Sequence, residues 1–221
     1  AAYKHIVTPF MIQLDDDLYF DCDFLSLFVN RFLSLPHNSI LAPAQFKNDS
    51  RNSSLVYPKP AFSLLLYLVA SCSSSVPFGK LTPSGYPIGY SLSQDKFSDT
   101  NFIQVDWCPG ACIIHHTSNL LSFNYYRLKG KAYAEDLIHC KKLCEANIMT
   151  FIDPTLRVDT FDDPSFSSSK LLHFVKSRVS LYNTLVVHKV PFNPILFFTF
   201  SFLYLLTRIV SMTFSWLNVR Q

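Results

Sequence analysis

Glycine is scarce in this chain: there are five in 221 residues, and three of them fall between Pro77 and Tyr90. A glycine-rich loop of the kind that cradles phosphates is therefore missing. Charge is sparse as well, with Asp, Glu, Lys and Arg at 16% against 49% hydrophobic residues and 21 Phe, which is more apolar than an ordinary soluble domain. Acid is absent altogether from Pro164 to Gln221, a stretch that holds Lys170, Lys176, Arg178, Lys189, Arg208 and Arg220. Because those bases are interleaved with Leu and Phe, the stretch favours an anionic membrane surface over nucleic acid. The opening residues Ala1 to Lys4 contain neither a starting Met nor a signal-peptide pattern, so the chain is expected to be the later part of a longer one. Without a secretory signal, its six cysteines are expected to be free thiols.

What the chain does contain is an abrupt junction between Phe10 and Asp17, where an apolar run ends in Asp15, Asp16 and Asp17. Ile6 to Leu14 has the length and branched-aromatic content of a buried strand covered on both faces, and Pro9 argues against a helix. Ligands of open α/β sheets gather beyond such strand ends. In an extended chain Asp15 and Asp17 would point one way and Asp16 the other. An Asp-x-Asp pair of hard oxygen donors suits Mg²⁺ or Mn²⁺, which binds through one or two carboxylates plus phosphates. A solvated turn explains the same residues equally well.

The later segments alternate. Phe24 to Leu35 has a helical apolar period ending at Pro36, and Ile40 to Pro43 reads as a short strand. Phe62 to Ala70 is an apolar run too short to span a bilayer, and Pro77 to Tyr90 reads as a long loop. Ile103 to Trp107 resumes strand character, the turn Trp107-Cys108-Pro109-Gly110 follows, and a strand runs on to His115 and His116. Gly130 to about Ala146 is expected to be helical, with Glu135 and Asp136 complementing the dipole of its first turn and Asn147 closing it in the left-handed region. Thr150 to Ile152 returns to strand before Asp153-Pro154. Lys170 to Val187 and Pro191 to Thr207 are expected to be helices, the second able either to span a membrane or to lie in its interface. The pairs Cys108/Cys112 and Cys140/Cys144 admit a zinc reading, although Leu137, Cys140 and Cys144 also form one helical stripe suited to a core. Neighbouring His115 and His116 point oppositely in a strand, which favours structural roles over one shared ion. Strands alternating with helices predict an α/β architecture.

Three elements occur in order: Leu14-Asp15-Asp16-Asp17, Trp107-Cys108-Pro109-Gly110-Ala111 and Tyr133-Ala134-Glu135-Asp136. Together they resemble the family 2 glycosyltransferases of the GT-A fold, particularly bacterial enzymes of surface-polysaccharide assembly, over roughly Ile6 to Val187. The resemblance implies a mixed, Rossmann-like sheet flanked by helices, N-terminally truncated here, as a partial domain over residues 1–189. A hydrophobic membrane-associating segment would follow over 190–221. It implies that Asp15, Asp16 and Asp17 bind the nucleoside-diphosphate sugar, with Asp15 and Asp17 holding Mn²⁺ or Mg²⁺. Asp136 would be the catalytic base and Glu135 its neighbour toward the acceptor, while Trp107, Gly110 and Tyr133 would line the sugars. The acceptor would be a glycan or lipid-linked molecule, at the cytoplasmic face of a bacterial inner membrane. Where relatives often carry a further acid, a Gly and a His, this chain has Ile138, Asn147 and Arg157-Val158-Asp159. The alternative is a non-catalytic remnant acting as a membrane-associated interaction protein; a metal-dependent phosphohydrolase on the same strand tip is a third reading.

Overall fold

The computed structural model describes residues 5–48, 79–85, 102–121, 135–160 and 168–218. Tyr133, the run Phe62 to Ala70 and the expected helix opening from Gly130 lie outside the described residues. The chain forms two compact units: the sheet and its two covering helices make up the first, and residues 81–85 and 168–218 belong to the second.

The first unit is a mixed sheet. Its strands are β1 (Phe10–Leu14), β2 (Leu18–Tyr19), β3 (Ser39–Asn48), β4 (Ile103–Val105), β5 (Cys112–His116) and β6 (Met149–Thr160), in the order β1-β5-β3-β6-β2, with β4 also paired to β6. Only β3 and β6 run parallel; the other pairings are antiparallel. Two helices cover the sheet, α1 (Phe24–Leu33) and α2 (Glu135–Glu145). Period-2 alternation divides the central strands between the two faces. Leu41, Cys112 and Ile114 pack with Phe24, Phe28 and Phe32 of α1. Ile40, Ala42 and Ile113 pack with Cys140 and Leu143 of α2. The spacing of Phe24, Phe28 and Phe32 is one helical stripe, and all three are buried.

Several expectations are revised. The first strand is shorter than Ile6 to Leu14 and is not covered on both faces: Phe10 to Gln13 are half-buried, and β1 lies at the end of the strand order, paired with β5. Pro9 offers no ladder N–H, which fixes where the pairing begins. The strand expected to stop before Asp153-Pro154 instead runs through it as β6. It does so across a bulge, for Pro43 faces Asp153 but Gln45 faces Arg157, so three residues of β6 oppose one of β3. Asp153, fully buried, absorbs the interruption: its carboxylate accepts the Thr155 backbone N–H at 2.8 Å and hydroxyl at 2.6 Å. It also accepts Nε–H of Arg31 at 2.5 Å, whose guanidinium lies 4.3 Å over the Phe102 ring.

The end of α2 and the start of the last helix follow ordinary capping chemistry. Asn147 adopts φ +59°, with its N–H on the Cys144 carbonyl and the Ile148 N–H on the Leu143 carbonyl, the paired bonds of a left-handed helix stop. In the second unit are α3 (Ser168–Val187) and α4 (Pro194–Asn218). Asn193 caps α4, its side-chain oxygen accepting the N–H groups of Ile195 at 3.0 Å and Leu196 at 3.2 Å, with Pro194 at the first helical position. Buried Arg178 of α3 donates Nε–H to Ser201 of α4 at 3.0 Å and lies 4.3 Å over the Phe197 ring. Gly85 has φ +67°, and a Cβ there would stand 2.7 Å from Leu185 Cδ1, so this close approach requires glycine. Among the described residues, no helix is long and apolar enough to cross a membrane.

Candidate active site

The pairing of β1 with β5 brings the first two motifs together. Leu14 lies opposite Cys112, so the chain leaving β1 passes the turn that leads into β5. There the Asp15 N–H donates to the Ala111 carbonyl at 2.8 Å, and Gln13 Nε2–H donates to the Gly110 carbonyl at 2.9 Å. The third motif arrives with α2. The Gly110 N–H donates to the Asp136 carboxylate, and a Cβ on Gly110 would collide with that carboxylate's Oδ1. A side chain at position 110 would therefore have to displace the Asp136 carboxylate, which occupies the space.

The acidic triplet itself is a turn. The strand ends at Leu14, Asp16 and Asp17 turn the chain into β2, and all three carboxylates are exposed. The expected alternation of Asp15 and Asp17 against Asp16, which presumes extended chain, therefore does not apply. Asp15 is nonetheless raised above the ordinary Asp value, first by desolvation and then by Asp17 and Asp16.

Asp136 departs further, raised to about 6. Desolvation is the largest cause; the charges of Glu135 and Asp15 add to it, and the Gly110 hydrogen bond opposes it. Glu135 is raised too, by desolvation and then by Asp15. The helix dipole that Asp136 complements acts to lower its pKa, but burial of a charge outweighs a dipole effect worth at most about 2 kcal/mol. The mutual influence of Asp15, Glu135 and Asp136 means that residues separated by 120 positions share one electrostatic site.

Behind this site the chemistry is inert. Cys108 and Cys140 stand with sulfurs 4.0 Å apart, both buried, and the Cys108 thiol is pushed well up, first by its hydrogen bond with Cys140 and then by burial. Burial pushes Cys112 to about 12. Among the described residues, no cluster of three or more metal-ligating side chains includes these cysteines. The expected stripe is corrected in part: Leu137 and Cys140 are buried, but Cys144 is exposed and Leu143 takes the core position. His115, lowered to about 3, and His139, lowered to about 4, are packed as neutral rings 5.4 Å apart, while His116 stacks on His37 at 4.1 Å. The two neighbouring histidines thus face different surroundings, as their alternation implies.

Trp107 is half-buried against the α2-side core, its backbone N–H donating to the Gly79 carbonyl at 3.2 Å. Sequence reasoning missed Gln13. Its position one place before the strand's last residue, polar within an apolar run, was the available signal. Among the described residues, no group of three or more His, Cys, Asp or Glu side chains is gathered so as to hold a metal ion. Asp15 and Asp17, exposed at the turn after β1, are hard oxygen donors of the kind that hold Mg²⁺ or Mn²⁺ jointly with substrate phosphates. No protein-family model matches the chain, and no curated protein matches it.

Proposed function

We propose that this chain is an inverting, metal-dependent glycosyltransferase with a GT-A-like sheet. It moves a sugar from a nucleoside-diphosphate sugar to a glycan or lipid-linked acceptor. The observation that carries the reading is the meeting of three motifs, distant in sequence, around a carboxylate whose pKa is raised to about 6 and which accepts the Gly110 N–H.

A base is most effective when its pKa lies near the working pH, and Asp136 meets that condition. Ionised, it accepts the acceptor hydroxyl's proton as that oxygen bonds to the anomeric carbon. The bond from that carbon to the diphosphate oxygen breaks, and its electron pair leaves with the diphosphate. Attack opposite the leaving group inverts the sugar's configuration. The Gly110 N–H fixes the orientation of Asp136, and Gln13 steadies Gly110 from the β1 side. Asp15 and Asp17 are the residues that would hold Mn²⁺ or Mg²⁺, with Asp16 beside the diphosphate. Such an ion supplies neutralisation of the departing negative charge. Trp107, Gly110 and Tyr133 are assigned to the sugars on the motif resemblance, and the cytoplasmic face of a cell membrane is the corresponding location.

The test is sugar transfer from a panel of nucleoside-diphosphate sugars with Mn²⁺. Asp136→Asn is expected to lower the rate by about 10² to 10⁴ while nucleotide binding persists. Unchanged transfer would remove Asp136 as the base. Calorimetry showing no metal-dependent nucleotide binding in the unmodified protein would favour a non-catalytic interaction protein instead.

A further inference from the structure

Among the described residues, the second unit carries an apolar surface that its packing leaves largely exposed, even where Phe198 touches Tyr182 with centroids 5.1 Å apart. On α3, the inward positions Arg178, Leu181, Thr184 and Leu185 are buried. A different stripe, Leu172, Val175, Val179 and Val186, is exposed, and its steps of three, four and seven residues keep it on one helical face. The same division recurs on α4. Phe197 and Phe200 are buried, whereas Ile195, Phe198, Phe202 and Leu206 are exposed at steps of three, four and four. The fractions are large for such side chains: Ile195 is 77% exposed, Phe202 63% and Leu172 59%. Two neighbouring helices in the chain therefore each expose a continuous apolar line opposite the line they bury, which marks an interaction surface.

Charge selects its occupant. No Asp or Glu occurs from Pro164 to Gln221, and Lys176 and Lys189 stand exposed in the same unit. A second copy of this chain would bring like charges face to face across a two-fold interface. A lipid surface with anionic headgroups accepts the aromatic and aliphatic side chains and attracts the lysines together. We infer that the exposed stripes of α3 and α4 dock this unit onto an anionic bilayer surface, with Phe198 and Phe202 entering the acyl boundary and Lys176 and Lys189 meeting headgroups.

The inference stands apart from sugar transfer and is tested with neither donor nor metal present. The full chain is sedimented with vesicles of phosphatidylcholine, with and without phosphatidylglycerol. Binding is expected to be stronger to the phosphatidylglycerol vesicles and to weaken as salt rises. The double change Phe198→Ser and Phe202→Ser is expected to reduce partitioning by about tenfold or more, because two apolar anchors are lost. Lys176→Glu with Lys189→Glu should abolish the preference for anionic vesicles, and this pair serves if the Phe variant fails to fold. Equal binding of either variant and the parent overturns the proposal, as does indifference to phosphatidylglycerol. So does a lipid-free, concentration-dependent dimer that the Phe changes dissolve, which would identify a second copy as the occupant.

Discussion

At the scale of single residues, Asp136 shows how environment overrules local chemistry. Its place at a helix start is one where a carboxylate is ordinarily favoured, yet burial lifts its pKa from 3.8 to about 6. The native state therefore holds this proton more tightly than the unfolded chain does. The resulting stabilisation is complete below the ordinary value of 3.8 and is lost as pH rises through about 6. At neutral pH the ionised group costs stability, by up to roughly 3 kcal/mol from the size of the displacement. Asp136→Asn retains an acceptor for the Gly110 N–H and removes the charge. Urea unfolding is thus expected to show the variant more stable than the parent by about 1–3 kcal/mol near pH 7.5, with little difference near pH 4. A constant difference across that range would place the raised pKa elsewhere. The sequence named Asp136; its displaced pKa comes first from burial, with the charges of Glu135 and Asp15 adding to it against the opposing Gly110 hydrogen bond, and neither the burial nor Asp15 lies in a local window.

At the scale of elements, helix boundaries were the most legible features. The stripe of Phe24, Phe28 and Phe32 announced α1, and Asn147 announced the end of α2, because each signal is written within a few residues. Left-handed backbone at Asn147 yields a direct prediction. Asn147→Gly should leave stability unchanged or raise it by a few tenths of a kcal/mol, whereas Asn147→Ala should cost about 1 kcal/mol, read as a shift in the urea midpoint. Equal effects of the two changes would contradict the positive φ. Strand extents were less legible. Pro154 signalled an ending, but the sheet carries β6 past it through a bulge opposite Pro43, with Asp153 and Arg31 satisfying the interior. Those compensations come from another strand and from α1, so the propensity of Asp-Pro alone could not reveal them. Ile138, where a further acid occurs in the resembling family, is buried in the structure, so that position serves packing here.

At the scale of the whole molecule, the candidate site depends on a meeting of segments. Gly110 is where β1, the turn before β5 and the start of α2 converge: its carbonyl accepts from Gln13, its N–H serves Asp136, and its missing side chain leaves room for the carboxylate. Gly110→Ala should therefore displace Asp136, costing about 1–3 kcal/mol of stability and lowering transfer more than nucleotide binding. Wild-type transfer with an unshifted urea midpoint would refute the close approach. The sequence by itself determined which residues are candidates for chemistry, the alternation of strands and helices, and the division between an acid-bearing part and an acid-free apolar end. These are properties of composition and short period, which neighbouring residues settle among themselves. Only the tertiary structure decided that β1 is an end strand, that the acidic triplet is a turn, that Cys108 meets Cys140 rather than Cys112, and that Asp15 acts on Asp136. Each of those depends on strand pairing and desolvation between residues far apart in the chain, and such energies exist only once the sheet has formed.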